Sequence, residues 1–239
     1  MRNTTRAARL MAMPAILMMA GCFSLGRDTP PLQQFVLGAT PVANEGALSP
    51  DATGLTLGLR RLDLAAYLAM PSIVTRRGAH QVMVSEFHRW GEDPVEGINR
   101  ALAGYLAATQ PVRAVDVAPW PVRSGHAYLV QVHVTRFEGV APADTLVMQG
   151  EAHVQASWEI HRPGDGIVLA RGGTDYRGAG WRVGDYAGLV TLLDGGLNAL
   201  ARDLVACMAR LGAGVVAVEG TPAAAADRPQ AIACPPIGG

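Results

Sequence analysis

The chain has no excess of charge of one sign. Among its 239 residues, 20 are Lys or Arg and 20 are Asp or Glu, so the formal net charge is zero. A chain without a sequence-wide electrostatic field has no general means of attracting nucleic acid or an anionic membrane surface. We therefore expect no nucleic-acid partner.

The sequence also lacks the short motifs that mark common catalytic and cofactor sites. It contains no Gly-x-Ser-x-Gly nucleophile elbow, no phosphate-binding glycine loop ahead of a lysine, no Cys-x-x-Cys and no His-Glu-x-x-His. Each of these motifs places a nucleophile, an anion or a metal in a fixed local geometry. The carboxylates are scattered, and a surface role is the default for them. We expect no catalytic residues, no cofactor and no enzymatic activity.

The N-terminal segment has the pattern of a secretory signal. Three arginines precede an apolar stretch over residues 10–20, which is too short to span a bilayer. The run from Leu17 to Cys22 resembles the lipobox of bacterial lipoproteins. This resemblance implies that the signal, residues 1–21, is removed and that Cys22 carries acyl chains. The alternative is an ordinary signal peptide that contains a cysteine.

The residues just after Cys22 bear on where such a lipoprotein resides. In the lipoproteins that this one resembles, an aspartate after the cysteine favours retention in the inner membrane, and here that position is Phe23. The resemblance therefore implies a lipid anchor in the outer membrane, with the protein on its periplasmic face. Residues 22–31 carry two prolines and no apolar period, which predicts a lipidated tether.

Cysteine is scarce beyond the anchor, since only Cys207 and Cys234 remain. In an oxidising periplasm the two thiols can form a disulfide, which would attach the C-terminal tail to the domain. The alternative is a buried Cys207 and an unpaired Cys234, because sequence does not give the Cα separation. The tail itself, residues 213–239, contains prolines and an alanine run without a helical stripe, and we expect it to be flexible.

Alternation and helical periodicity between the tether and the tail predict one domain over residues 32–212. Helices are expected from Asp93-Pro94 to about Thr109 and from Asp185 to Gly212, where Gly195-Gly196 indicates a kink or a close contact. Alternating segments predict strands at 33–37, 55–59, 80–86, 128–135, 148–160 and 167–170. Both helices then pack on one face of a mostly antiparallel sheet, so the fold class is α+β.

Histidines on the two central strands raise a weak metal hypothesis. A simple hairpin that pairs Val132 with Val154 would place His133 opposite His153, close enough to share an ion, with Glu151 as the nearest third ligand. The same strand face carries Gln131, Thr135 and Gln155, which is typical of a solvated face. Two ligands without a fixed third make a weak site, and we expect no metal there.

Three segments carry a resemblance to a known family. Residues 66–76 contain a Tyr-Leu-x-x-Pro-x-Ile-Val-x-Arg pattern, residues 87–92 contain Trp-x-Glu, and residues 134–139 end a strand in Phe-Glu-Gly. Together they resemble the PqiC-type family of ABC-type transport auxiliary lipoproteins. We expect the side chains of the first segment to contact a partner or a second copy of the chain; they are Tyr67, Leu68, Pro71 and Arg76.

The family resemblance implies a role in the cell envelope. Such lipoproteins accompany a periplasm-spanning MCE-domain protein and its inner-membrane partner, in systems associated with intermembrane lipid transport and membrane integrity. The chain would then serve as the docking or receiving component, with self-association into a ring as a further expectation. Two alternatives remain: a periplasmic lipid carrier with an apolar groove between helices and sheet, and a metal-binding envelope protein that uses His133 and His153.

Overall fold

The computed structural model describes residues 29–38, 54–120, 125–218 and 231–236, and side chains as far as residue 212 in the last helix. Cys22 and the predicted signal over residues 1–21 lie outside the described residues. Of the predicted tether, only Thr29 to Pro31 are described.

Within the described residues, ten strands form one open sheet and two helices pack on it. The α+β class predicted from the sequence is confirmed. The helices are α1 (Pro94–Ala107) and α2 (Tyr186–Val218). The strands, in chain order, are β1 (Gln33–Phe35), β2 (Leu55–Leu59), β3 (Asp63–Leu64), β4 (Ser72–Arg77), β5 (Gln81–Trp90), β6 (Val112–Val117), β7 (Tyr128–Ala141), β8 (Gln149–His161), β9 (Val168–Arg182) and β10 (Ile232–Cys234).

Three long strands form the antiparallel centre of the sheet. β7 pairs with β8 and β8 with β9, over 11 and 13 residue pairs respectively. β4 and β5 form a second antiparallel hairpin, and β4 pairs in parallel with the far end of β7. The shorter strands β1, β2, β3, β6 and β10 each pair in parallel with a neighbour. The prediction of a mostly antiparallel sheet is therefore confirmed, and the short strands add parallel pairs to it.

The predicted register of the central hairpin is wrong. His133 pairs with Ser157, whereas His153 pairs with Glu138. β7 runs to Ala141, past its predicted end at Thr135, whereas β8 nearly keeps its predicted bounds, so the turn lies further towards the C-terminus. An irregularity between Val134 and Arg136 shifts the register once more. Such a bulge inserts one extra residue and reverses which side chains face the core.

Helix α1 begins as its sequence predicts. Asp93 is the N-cap, and its carboxylate accepts hydrogen bonds from the backbone amides of Val95 and Glu96. Pro94 follows at the first turn, where the missing amide costs nothing. The buried face carries Ile98, Leu102, Tyr105 and Leu106 at spacings of three and four residues.

Helix α2 packs along β7, β8 and β9 through a continuous leucine stripe. Gly196 meets the sheet closely, since a Cβ atom there would lie 2.4 Å from Cγ2 of Val154. The glycine pair thus marks a close contact. The helix continues to Val218, past the end predicted at Gly212, because residues 213–218 hold no proline and one glycine adds only about 1 kcal/mol. No helix in the described part of the chain is long and apolar enough to cross a membrane.

Parts of the predicted C-terminal tail form regular secondary structure. Ile232–Cys234 form β10, which adds in parallel to the edge of β9 beside Ala170–Gly172. The prediction of a flexible segment over 213–239 is therefore wrong for these three residues and for the part that continues α2. Non-local pairing with an edge strand gives no local sequence signal, because three residues are too few to show alternation.

Candidate functional site

A buried ion pair joins the first and the third of the family-like segments. Arg76 on β4 donates from Nε to Oε1 of Glu138 on β7 across 2.7 Å, and from Nη2 to Oε2 across 3.4 Å. The Glu138 side chain is 0% exposed and that of Arg76 is 13% exposed. A buried carboxylate of this kind requires a partner, because the ionised group is costly to remove from water.

Tyr67 closes the ion pair on one side. Its hydroxyl accepts a hydrogen bond from Nη2 of Arg76 across 3.2 Å and donates to the backbone carbonyl of Thr135 across 3.3 Å. The guanidinium carbon of Arg76 also lies 5.5 Å from the centre of the Tyr67 ring, within the range of a cation–π contact. Tyr67 therefore fixes the orientation of the arginine.

Burial and the charge of Glu138 shift the pKa values of Tyr67 and Arg76. Burial, and then the negative charge of Glu138, raise the pKa of Tyr67 above its ordinary value. The hydrogen bond that Arg76 donates to Glu138 raises the pKa of Arg76. A second guanidinium reaches the same carboxylate, since Nη1 of Arg136 lies 3.6 Å from Oε1 of Glu138. The glutamate is thus enclosed by two cations and presents no free oxygen to solvent.

A second polar pair lies beside the first. His153 is opposite Glu138 across the β7–β8 pair, and its Nε2 lies 2.6 Å from Oδ1 of Asp175 on β9. His153 is 3% exposed. Directly paired residues have Cβ atoms about 4.5–5.5 Å apart, so the two pairs adjoin. We call this row across four strands the polar belt; its members are Tyr67, Arg76, Glu138, His153 and Asp175.

The structure does not bring His133 and His153 together as the metal hypothesis required. His133 is exposed and lies four residues along the strands from the Glu138–His153 level, a separation of about 13 Å. The two histidines cannot share an ion at that separation. Across the described ranges, no group of three or more His, Cys, Asp or Glu side chains is placed to hold a metal.

The remaining family-like segment meets the same region. Trp90 packs against Phe137 with ring centres 5.9 Å apart, and its backbone amide donates to the carbonyl of Pro71 across 2.7 Å. Gly139 lets Trp181 approach, because a Cβ atom there would lie 2.8 Å from the indole ring. All three family-like segments therefore converge on one part of the sheet.

The four residues expected to contact a partner occupy different environments. Leu68 is 4% exposed and belongs to the core, and the Arg76 side chain is committed to Glu138. These two side chains stabilise the fold from within, so the prediction of an outward contact is wrong for them. Pro71 is exposed and Tyr67 is half-buried, which leaves these two accessible.

Sequence reasoning did not assign a role to Glu138 or Asp175. A sequence signal for Glu138 exists, because a glutamate within an otherwise apolar strand end requires a buried partner. Asp175 gave no such signal, since it lies among glycines and polar residues at an exposed position.

Cys207 and Cys234 are joined by a disulfide in the structure. Cys207 lies on the buried face of α2 and Cys234 ends β10, with both side chains almost fully buried. The crosslink fastens the C-terminal strand to the last helix.

A surface cavity of about 290 Å³ lies on the face of β7, β8 and β9. Most of its lining residues carry polar groups, although the surface that they present to the cavity is mainly apolar; the lining residues are Gln131, His133, Ser157, Trp158, Glu159, Arg171 and Gly172. All seven residues belong to strands, so this cavity does not lie between helices and sheet, where a lipid carrier would hold its apolar groove.

The fold and the polar belt define an α+β domain whose family-like segments hold the sheet together from within. The model of the family described as the ABC-type transport auxiliary lipoprotein component matches residues 35–205, inside the domain predicted over 32–212. The chain belongs to this family. As a member of a lipoprotein family, it is anchored to a membrane of the cell envelope.

Solved structures with the same fold have little sequence in common with this chain. A protein from Xanthomonas campestris matches with a TM-score of 0.55 and 14% identity, over 80% of this chain and 97% of that one. An uncharacterised protein matches with a TM-score of 0.51 and 16% identity, over 74% and 95% respectively. Comparison with curated proteins gives no match.

Proposed function

We propose that the chain is the outer-membrane lipoprotein subunit of an MCE-type intermembrane lipid transport system, where it acts as a docking or receiving component. The observation that carries this proposal is the family match over residues 35–205, on a chain whose lipobox-like run ends at Cys22. In this role the protein has no catalytic residues and no cofactor, and its contribution to membrane integrity is positional.

The anchor is Cys22, which lies outside the described residues. Each buried methylene contributes about 0.8 kcal/mol to membrane binding, so two or three acyl chains, palmitate among them, hold the protein durably. Phe23, in the place of a retention aspartate, favours the periplasmic face of the outer membrane.

The partners are the periplasm-spanning MCE-domain protein and, through it, the inner-membrane component. Exposed Pro71 and half-buried Tyr67 remain as the accessible part of the expected contact segment. Self-association has a separate basis. β1 covers only His88–Trp90 on the edge of β5 that faces away from β4, so Gln81–Phe87 have no strand beside them on that edge within the described ranges. An edge of this kind can pair with a second copy in a ring.

Crosslinking in the intact envelope tests the partner. The chain contains no lysine, so amine-reactive reagents would miss the domain, and a photoreactive amino acid is required. Placed at Pro71 and, as a matched control, at the exposed Asp165 in the β8–β9 turn, it should capture an MCE-domain protein from Pro71 only. Recovery of no MCE-domain protein from either position, or equal recovery from both, would contradict the proposal.

A further inference from the structure

Exposed apolar side chains gather at one end of the sheet. Leu146 is 87% exposed, and its neighbours in the β7–β8 loop are about half exposed. The start of β5 carries three consecutive exposed apolar residues in the same way. We call this surface the apolar tip; its members are Val82, Met83, Val84, Leu146, Val147 and Met148.

Strand register places the two parts of the tip together. Arg77, at the end of β4, pairs with Gln81 on one side and with Ala141 on the other. The β4–β5 turn and the β7–β8 loop therefore leave the sheet at the same end. The Gly78 amide also donates to the carbonyl of Ala141 across 2.9 Å, which fixes the turn beside the loop.

The loop that carries Leu146 is held in place. Oδ1 of Asp144 accepts a hydrogen bond from the Leu146 amide across 2.9 Å, and the Val183 amide donates to the Met148 carbonyl across 2.9 Å. Leu146 is thus presented to solvent by a structured turn. A side chain presented in this way loses little conformational freedom when it binds.

Charge near the tip is balanced. Arg77 and Arg182 lie at this end with Asp144 and Asp185, so neither sign dominates. A partner recognised by charge would require an excess of one sign. The balance of charge therefore favours a partner whose surface is apolar and electrically neutral.

The first strand of the domain relates the tip to the anchor. β1 runs parallel to β5, with Gln33 beside His88 and Phe35 beside Trp90, so the strand begins on the side of the tip. From His88 back to Gln81 is seven residue steps, about 23 Å of strand. The ten residues 22–31 can extend to about 33–36 Å, which is long enough to reach the level of the tip.

We propose that the apolar tip inserts into the bilayer surface that holds the acyl chains, at the boundary between headgroups and hydrocarbon. This inference rests on the proposed lipidation of Cys22. The lipid anchor already holds the domain at the membrane, so insertion is an intramolecular step. A few apolar side chains then suffice for insertion, although they would bind a membrane only weakly without the anchor. Insertion would orient the sheet with its opposite end, at the β8–β9 turn, facing the periplasm.

Tryptophan placed in the tip tests the insertion. The full-length lipidated protein would be reconstituted in phosphatidylcholine vesicles as the Leu146→Trp and Met83→Trp variants, with Ile167→Trp in the β8–β9 turn as the matched control. Ile167 is 37% exposed, so it begins in a solvated setting like that of Met83 at 39%. Emission from the two tip variants should shift to shorter wavelength and be quenched by lipids brominated on their acyl chains, independently of salt.

The outcomes separate this inference from the proposed function. The intact mass of the same sample reports acylation independently of fluorescence. If the protein is acylated but the tip variants are quenched no more than Ile167→Trp, the insertion is overturned and the lipid anchor is retained. Unacylated protein that is not quenched overturns both. Loss of quenching in vesicles together with crosslinks between tips of two copies assigns the surface to self-association and overturns insertion.

Discussion

Arg76 donates from Nε to Oε1 of Glu138 across 2.7 Å, at a place where the glutamate side chain is wholly buried. The two residues come from separate family-like segments, which lie 62 positions apart in the sequence. Their contact ties β4 to β7, and through Trp90 and Phe137 it adjoins the second segment. The family resemblance therefore identifies residues that hold the fold together, and of the four residues expected at a contact surface, Pro71 and Tyr67 remain accessible.

Removing the arginine should destabilise the protein strongly. Arg76→Met leaves Glu138 buried with Arg136 as the remaining guanidinium beside it, and loss of one partner of a buried pair costs about 3–5 kcal/mol. We expect the free energy of unfolding, measured by urea titration, to fall by about 3 kcal/mol because Arg136 compensates in part.

An exposed ion pair provides the control for Arg76→Met. Arg177 is 56% exposed and pairs with Glu151 across 2.7 Å, so Arg177→Met should cost less than about 1 kcal/mol. Equal losses from the two variants would contradict the structural role of the Arg76–Glu138 pair.

Alkaline pH should weaken the fold through two tyrosines. Burial raises the pKa of Tyr67, and burial followed by the hydrogen bond to Asp194 raises the pKa of Tyr105. Both stay protonated in the folded chain after they ionise in the unfolded one, so their stabilising contribution is complete below pH 10 and is lost as the pH rises further. Since the chain has no lysine, tyrosines dominate titration in this range.

The measurement is the unfolding temperature between pH 8 and 11. Tyr67→Phe and Tyr105→Phe should each flatten the decline above pH 10, and the double variant should flatten it most. An unchanged slope in the double variant would show that other groups cause the decline.

Two helical glycines should respond oppositely to substitution by alanine. At Gly104 of α1 a Cβ atom would meet nothing within 4 Å, so Gly104→Ala should stabilise the protein by about 1 kcal/mol through helix propensity. At Gly196 of α2 the new atom would lie 2.4 Å from Val154, so overpacking should destabilise by about 1–3 kcal/mol. Urea titration distinguishes them, and stabilisation by both changes would refute the close contact of α2 with β8.

Loss of the disulfide should release the C-terminal strand. Cys207 and Cys234 are 27 positions apart, and closing a loop of that length contributes about 3.5 kcal/mol through the unfolded chain. Cys234→Ser should therefore lower the free energy of unfolding by about that amount in oxidising buffer. In reducing buffer, wild type and variant should have the same free energy of unfolding. A difference that persists there would show that the substitution acts through packing and that the disulfide is not the cause.

The sequence predicted both helices and much of β7 and β8 because each carries a local signal, but it predicted only the start of β9, which continues to Arg182. Asp93 and Pro94 mark the start of α1, and alternation over Tyr128 to Thr135 marks β7. It did not predict β6 or β10, which form by parallel pairing with distant strands and are short. Their stability depends on neighbours that no local window contains.

The polar belt was only partly predictable for the same reason. Tyr67 and Arg76 were identified from their segment, yet an outward role was assigned to Arg76 because its partner lies 62 residues away. The position of His153 depends on the bulge between Val134 and Arg136, and a one-residue insertion is invisible to an alternation argument. Register errors of this kind exchange the two faces of a strand.

The most direct test of the account is the intact mass of the mature protein recovered from outer-membrane fractions, compared with that of the Cys22→Ser variant. The account predicts a chain that begins at Cys22 and carries acyl chains, and loss of both the acylation and the outer-membrane location in the variant. An unacylated chain that begins at another residue, or a Cys22→Ser protein that remains in the outer membrane with the same mass pattern, would contradict it.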